Sequence, residues 1–204
     1  MRDGPPDRQR ILADAARMEA IAAGDGRIFT ELVRAETSRL VSLAAGLLAS
    51  RAEAEEVAQD ALLRLWQQAP DWTAGARIST WLHRVTYRLC IDRLRRRRPS
   101  VPVAEIEDTM ADGSDSPEDT LLRGQQAALI DAALGRLPPR QRAAILLAHG
   151  RGLGQAEAAA VLDLSEEAYE SLLARGRRRL KELVRVAEMP AAGDTDEDDG
   201  RQRA

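Results

Sequence analysis

Three observations predict an all-α chain of two small helical domains joined by a flexible acidic linker. The 204 residues are 44% hydrophobic but only 3% aromatic. Much of the apolar content is Ala and Leu beside many Arg and Glu, a mixture that favours helices over strands. Apolar positions recur at helical spacing through most of the chain. Charge is segregated, so the net −3 hides strong local fields. Segment 77–98 carries eight Arg against one Asp, 104–120 carries seven acids and no base, and 174–185 carries five Arg and Lys181 against Glu182. That is the pattern of two basic binding faces and an acidic tether.

In order, residues 1–9 are Pro- and Arg-rich and expected to be disordered. From Arg10, Ile11, Ala15, Met18 and Ile21 mark a short amphipathic helix ended by Gly24-Asp25-Gly26. A second helix turns Ile28, Phe29, Leu32, Val33, Leu40, Leu43, Leu47 and Leu48 inward. Ser50, with Glu53 three residues on, is a capping-box pattern that opens a third helix. Its apolar positions are Val57, Ala61, Leu62, Leu65 and Trp66, its solvent face carries Glu55, Glu56, Gln59 and Asp60, and Pro70 stops it. A fourth helix covers 77–98, so 10–98 reads as one four-helix domain. Residues 99–120 hold Pro, Gly and acids without sustained period and read as linker. The second domain spans 121–187. Leu121, Leu122, Leu129, Ile130, Ala133 and Leu134 line its first helix, and Pro138-Pro139 starts the next. Two more follow, near 155–162 and 166–187, and 188–204 is an acidic tail expected to be disordered.

The fourth helix carries the chemistry. Ile78, Leu82, Val85 and Leu89 form an apolar stripe, while Arg77, Arg84, Arg88 and Arg95 line up about a third of a turn away, with Trp81 at the border. One side is dry and the other cationic, which is the layout of a nucleic-acid-facing helix. Tyr87 lies away from the stripe and is expected to be an exposed aromatic. In the second domain, a short helix, a three-residue turn and a capped helix make a helix-turn-helix pattern. Ala159 allows close approach, Leu162, Leu164 and Tyr169 fill the space between the helices, and Ser165 caps the second. Asp163 stands at the turn position where Gly is usual and tolerates positive φ.

Several classes are excluded. Cys90 is the only cysteine, so no disulfide framework or multi-Cys zinc site is expected. His83 and His149 lack ligand spacing, no Gly-rich phosphate loop is present, and Cys90 has no evident activating partner. No catalytic residue, metal or cofactor is therefore assigned. No apolar run reaches membrane-spanning length, and the first twenty residues are too charged for a signal-peptide core. The expected compartment is the reducing cytoplasm.

Four blocks carry a family resemblance: AEAEEVAQDALLRLW (52–66), STWLHRVTYRLCIDRLRRRR (79–98), LPPRQRAAILL (137–147) and GLGQAEAAAVLDLSEEAYESLLARGRRRL (152–180). In this order and separation the chain resembles the small two-domain extracytoplasmic-function sigma factors of bacterial RNA polymerase, over roughly 10–187. The resemblance implies that Glu56, Gln59, Asp60, Leu63 and Trp66 dock on the clamp coiled coil of core polymerase, with a further contact to its flap. It implies that Trp72, Arg77, Trp81, Arg84, Tyr87, Arg88, Arg95 and Arg96 engage and melt the −10 element. Exposing a base costs a few kcal/mol, which stacking and phosphate contacts recover. Ser165, Glu167, Ala168, Glu170, Ser171, Arg175, Arg178 and Arg179 would read the −35 element in the major groove. An anti-sigma factor, expected at the membrane, is the implied regulator, and the acidic linker would thread near the RNA exit path. Two departures concern promoter preference. Glu170 and Leu172 replace basic groups at the start of the recognition helix, and Arg88 stands where relatives commonly have Asn. Two alternatives remain: a sigma-like decoy that sequesters an anti-sigma factor, and a conventional helix-turn-helix transcription regulator.

Overall fold

The computed structural model describes residues 7–97, 119–150 and 152–188, with side chains at 8–97, 127–150 and 152–187. Residues 1–6 of the expected disordered start, Arg98 and the linker up to 118, and the acidic tail beyond 188 lie outside the described residues. Regular structure among the described residues is helical throughout.

The first bundle begins with α1 (Asp7–Ala22), three residues before the expected boundary. Met18 and Ile21 point into the core. Gly24, at φ +92°, turns the chain in a conformation that side chains resist. Asp25 then caps α2 (Gly26–Leu48), accepting from the backbone N–H groups of Arg27 at 3.0 Å and Ile28 at 3.3 Å. That helix ends on Ala49 in the left-handed region. Ser50 caps α3 (Arg51–Gln68) by accepting from the Glu53 N–H. The capping box closes only by half, because the Glu53 carboxylate turns to the Arg97 guanidinium. A charge-assisted bond outcompetes a carboxylate contact to a backbone amide. A 3₁₀ turn at Ala69–Asp71 holds Pro70, and α4 (Ile78–Arg97) follows.

Small residues decide how closely these helices approach. Ala54, Ala58 and Ala61 on α3 are fully buried, which lets α2 lie tight along it. Leu40, Leu65, Ile78 and Leu82 fill the space between, with Phe29 and Trp66 meeting edge to face at 4.8 Å. Trp66, expected inward from its spacing, leaves 39% of its surface exposed.

The second unit is built from α5 (Asp119–Gly135), α6 (Pro139–His149), α7 (Gln155–Val161) and α8 (Glu166–Glu188). Pro139 sits at the first helical position, where its missing N–H costs nothing. Ala133, Leu137, Ile145 and Leu183 form a small core. The helix-turn-helix closes on Tyr169, which is fully buried and donates its hydroxyl to the Ala144 carbonyl at 3.0 Å. Asp163 takes φ +54° in the turn, and Ser165 caps α8 at the Ala168 N–H, both as the pattern requires.

The two units share a core. Leu43, Ala44 and Leu47 of α2 pack with Cys90 of α4 against Ala143, Ala144 and Leu147 of α6 and Ala158 and Ala159 of α7. Gly46 makes this possible, because a Cβ there would lie 2.7 Å from the Leu146 Cδ1. Arg142, nearly buried, donates across the seam to the Leu47 carbonyl at 3.1 Å and within its own unit to Leu137 and Gly135. Burial pulls its pKa down.

Candidate nucleic-acid interface

α4 is entered through an unexpected cap. Asp14 of α1, only 7% exposed, accepts from the Ile78 N–H at 3.0 Å across 64 residues of sequence. A carboxylate there satisfies an orphan donor and meets the positive end of the helix dipole. At the entry to α4, Trp72 of the preceding loop and Trp81 of the helix's first turn meet edge to face at 5.9 Å, both half-buried, so neither indole stands free in solvent.

The apolar stripe of α4 is wider than its period suggests. Ile78 and Leu82 are buried, Val85 and Leu89 only partly, and His83, Thr86 and Cys90 are buried on an adjoining side. The second unit covers that side. His83 Nδ1 donates to the Ser79 carbonyl at 2.8 Å, and burial lowers its pKa. Burial pushes the Cys90 thiol up to about 12, leaving it unreactive.

The arginines do line up, but three of them meet the helix-turn-helix. Arg77 pairs with Glu157 at 3.1 Å, and Thr80 donates to the same carboxylate at 3.0 Å. Arg84 donates to the Ala160 carbonyl at 2.6 and 3.1 Å and lies 3.4 Å from Asp163. Arg88 reaches the other Asp163 oxygen at 3.0 Å. Tyr87, expected to be exposed, is half-buried beside this contact, in a groove of about 630 Å³ with Ile91, Leu94, Pro138 and Leu162. Its hydroxyl pKa is raised by burial. Arg95 and Arg96 are exposed, whereas Arg97 is bound by Glu53 and the Leu48 carbonyl.

The solvent face of α3 is continuous. Glu56, Gln59, Asp60, Leu63 and Trp66 are all exposed along one side, with Leu63 at 55%. Exposed large apolar groups in an acidic ridge mark a surface awaiting a partner. Its two carboxylates are held by Arg93, at 3.0 Å to Glu56 and 3.5 Å to Asp60. Sequence reasoning alone does not single out Arg93. It stands well along α4, and only the crossing of α3 over α4 shows what it serves.

On α8, Ser165, Glu167, Glu170, Ser171, Arg175, Arg178 and Arg179 are exposed and Ala168 is half-covered. Helix geometry puts Glu167, Ser171, Arg175 and Arg178 on one side. The Glu167 carboxylate is held below its usual range by its own backbone N–H and then by the Ser165 hydroxyl. Glu170 accepts from Gln155 of α7 at 2.5 Å, and Arg179 lies 3.7 Å from Glu182. A second opening, an apolar groove of about 710 Å³, lies between α5, α6 and α8 and is lined by Ile130, Leu134, Leu146, Leu180 and Val184. Among the described residues no cluster of His, Cys, Asp and Glu could hold a metal ion, and no helix is long and apolar enough to cross a membrane.

Comparison with known proteins agrees with this architecture. Residues 32–99 match the family described as Sigma-70 region 2, and residues 127–180 match Sigma-70, region 4. The ECF RNA polymerase sigma factor SigM of Mycobacterium tuberculosis is 33% identical over 172 residues, covering 84% of this chain and 85% of that protein. SigW of Bacillus subtilis, another ECF RNA polymerase sigma factor, is 27% identical over 179 residues, covering 83% and 95%. Among solved structures, CnrH in complex with the cytosolic domain of CnrY superposes with a TM-score of 0.64 at 26% identity, over 85% of this chain and 98% of that one. Two matched regions in the order of the two helical units, and a relative a third identical over most of both chains, make this chain a member of the sigma-70 family, of the ECF sigma factor type.

Proposed function

We propose that the chain binds core RNA polymerase in the cytoplasm and directs it to promoters, without catalytic chemistry of its own. The observation that carries this reading is α8 with its cap, where seven of the eight residues assigned to −35 recognition are exposed on a helix braced by Tyr169. A reading helix needs a free side and a fixed back. Arg175, Arg178 and Arg179 would hold phosphates, and Glu170 can accept from cytosine N4. The loop at 70–77 and α4 would take the −10 element, with Trp72, Trp81 and Tyr87 as stacking surfaces and Arg77, Arg84, Arg88, Arg95 and Arg96 along the strand. The ridge of Glu56, Gln59, Asp60, Leu63 and Trp66 fits the clamp coiled coil, and the groove between α5, α6 and α8 fits an apolar helix such as the flap would offer. The domain boundaries at 10–98 and 121–187 belong to the same proposal.

Control by an anti-sigma factor is supported by the likeness to CnrH, whose structure holds the cytosolic domain of CnrY. The test is run-off transcription by core polymerase with and without this protein on a library of promoter fragments. Transcripts from a subset sharing two spaced elements are expected. Absence of any promoter-dependent transcript, together with tight anti-sigma binding, would replace this reading by the decoy.

A further inference from the structure

We infer that the chain inhibits itself: the helix-turn-helix is clasped over the cationic side of α4, and two carboxylates occupy the places that DNA phosphates would take. This rests on the reading of α4 as the −10 surface. The clasp centres on a pair of opposite charges, Arg88 of α4 and Asp163 of the turn between α7 and α8. In the structure they are each other's partners, at 3.0 Å. Among the described residues, the Asp163 side chain bonds only to arginines of α4.

The geometry extends this pair into a line. Glu157 lies near the start of α7 and Asp163 just past its end, so the helix carries a carboxylate at each extremity. Arg77, just ahead of α4, and Arg84 and Arg88 on it fall on one side. With α7 laid along α4, Arg77 meets Glu157, Arg84 meets the Ala160 carbonyl, and Arg84 and Arg88 share Asp163. Ala158 and Ala159, both buried, bring the two backbones close enough for these contacts. The shared apolar core supplies the hold, and the polar line fixes the register. Three of the eight −10 candidates cannot take phosphates while it stands. A ligand that binds only the open form sees an affinity reduced by the fraction of chains that are open.

The test uses the full chain with Ala35 on α2 and Ala174 on α8, both exposed, replaced by cysteine and labelled as a donor–acceptor pair. Buried Cys90, with its thiol pushed up to about 12, stays unlabelled. Glu157→Gln with Asp163→Asn removes both charges while Asn still tolerates the left-handed turn. The open, low-transfer population is expected to rise about tenfold over the parent, with helical circular dichroism unchanged. Superimposable transfer distributions for parent and variant, whether closed or open, would overturn the clasp. A labelled single-stranded oligonucleotide is then titrated in low salt without polymerase, and the variant is expected to bind about tenfold tighter. A variant that opens without gaining affinity would overturn α4 as a DNA surface and leave the clasp standing, so the two readings fail separately.

Discussion

Asp14 tests whether α4 is positioned from outside its own sequence. Asp14→Ala leaves the Ile78 N–H without an acceptor, and Ile78 is only 2% exposed, so water does not replace it. A buried orphan donor costs about 1–3 kcal/mol. Losing the negative charge at the helix start adds roughly 0.5–1 kcal/mol. The pair with Arg17 contributes little, because that side chain is 60% exposed. The expected loss is therefore about 1.5–4 kcal/mol. For a helical unit of this size that lowers the melting temperature by roughly 10–20 °C. Asp14→Asn keeps an acceptor and should lose about 1 kcal/mol or less. Urea and thermal unfolding of parent, Asn and Ala variants, followed by circular dichroism, give the comparison. An Ala variant within about 0.5 kcal/mol of the parent, the spread of neutral surface changes, or an Asn variant as weak as Ala, would refute the cap as the source of order at α4.

Three further expectations use different probes. Gly46→Gln favours the helix but puts a Cβ 2.7 Å from the Leu146 Cδ1 and a longer side chain into the seam, so Leu146 must shift and overpacking of about 1–3 kcal/mol should loosen the seam; small-angle scattering showing an unchanged radius of gyration would contradict this. Replacing exposed Arg95 and Arg96 with Ala should weaken promoter opening and lower the salt slope by about two, since each arginine neutralises one phosphate. An unaltered slope, measured with polymerase from low to physiological salt, would remove them from the DNA surface. Glu170→Lys should change base preference within the −35 element in transcription from a randomised promoter pool, by roughly 1–3 kcal/mol at the affected position; an unchanged preference would mean that the Gln155 contact turns Glu170 away from the groove.

The helices themselves are legible because their signals are local. The Asp25, Ser50 and Ser165 caps, the Pro139 start and the Asp163 turn all depend on residues within a few positions of one another. The all-helical, two-unit architecture follows from those signals with the apolar period. What escapes are contacts between elements distant in sequence. Asp14 sits on the apolar side of α1 beside Met18, which is a usable hint, since an acid in that setting needs a donor. Arg93 and Glu157 carry no such mark. Tyr87 and the line of Arg77, Arg84 and Arg88 lie on the expected side of α4, but that side faces the second unit where solvent was expected. Periodicity reports where a side chain points, and only packing reports what stands there. The burial of His83, Thr86 and Cys90 has the same origin, as α4 is covered by its own unit on one side and by the second unit on another.

Arg142 gives the seam a particular character. An interface meant to stay shut forever would do better with a hydrocarbon at that position, since an enclosed guanidinium gains less from carbonyls than from water. Here it crosses to the end of α2 through Leu47 and binds the end of α5 through Gly135. When the units part, the cation keeps its bonds at Gly135 and Leu137 and trades only Leu47 for solvent. The freshly bared surface thus keeps a cation, which discourages two opened chains from sticking together through it. An arginine that makes closure weaker also makes opening survivable, and a protein that must exchange one set of neighbours for another benefits from both.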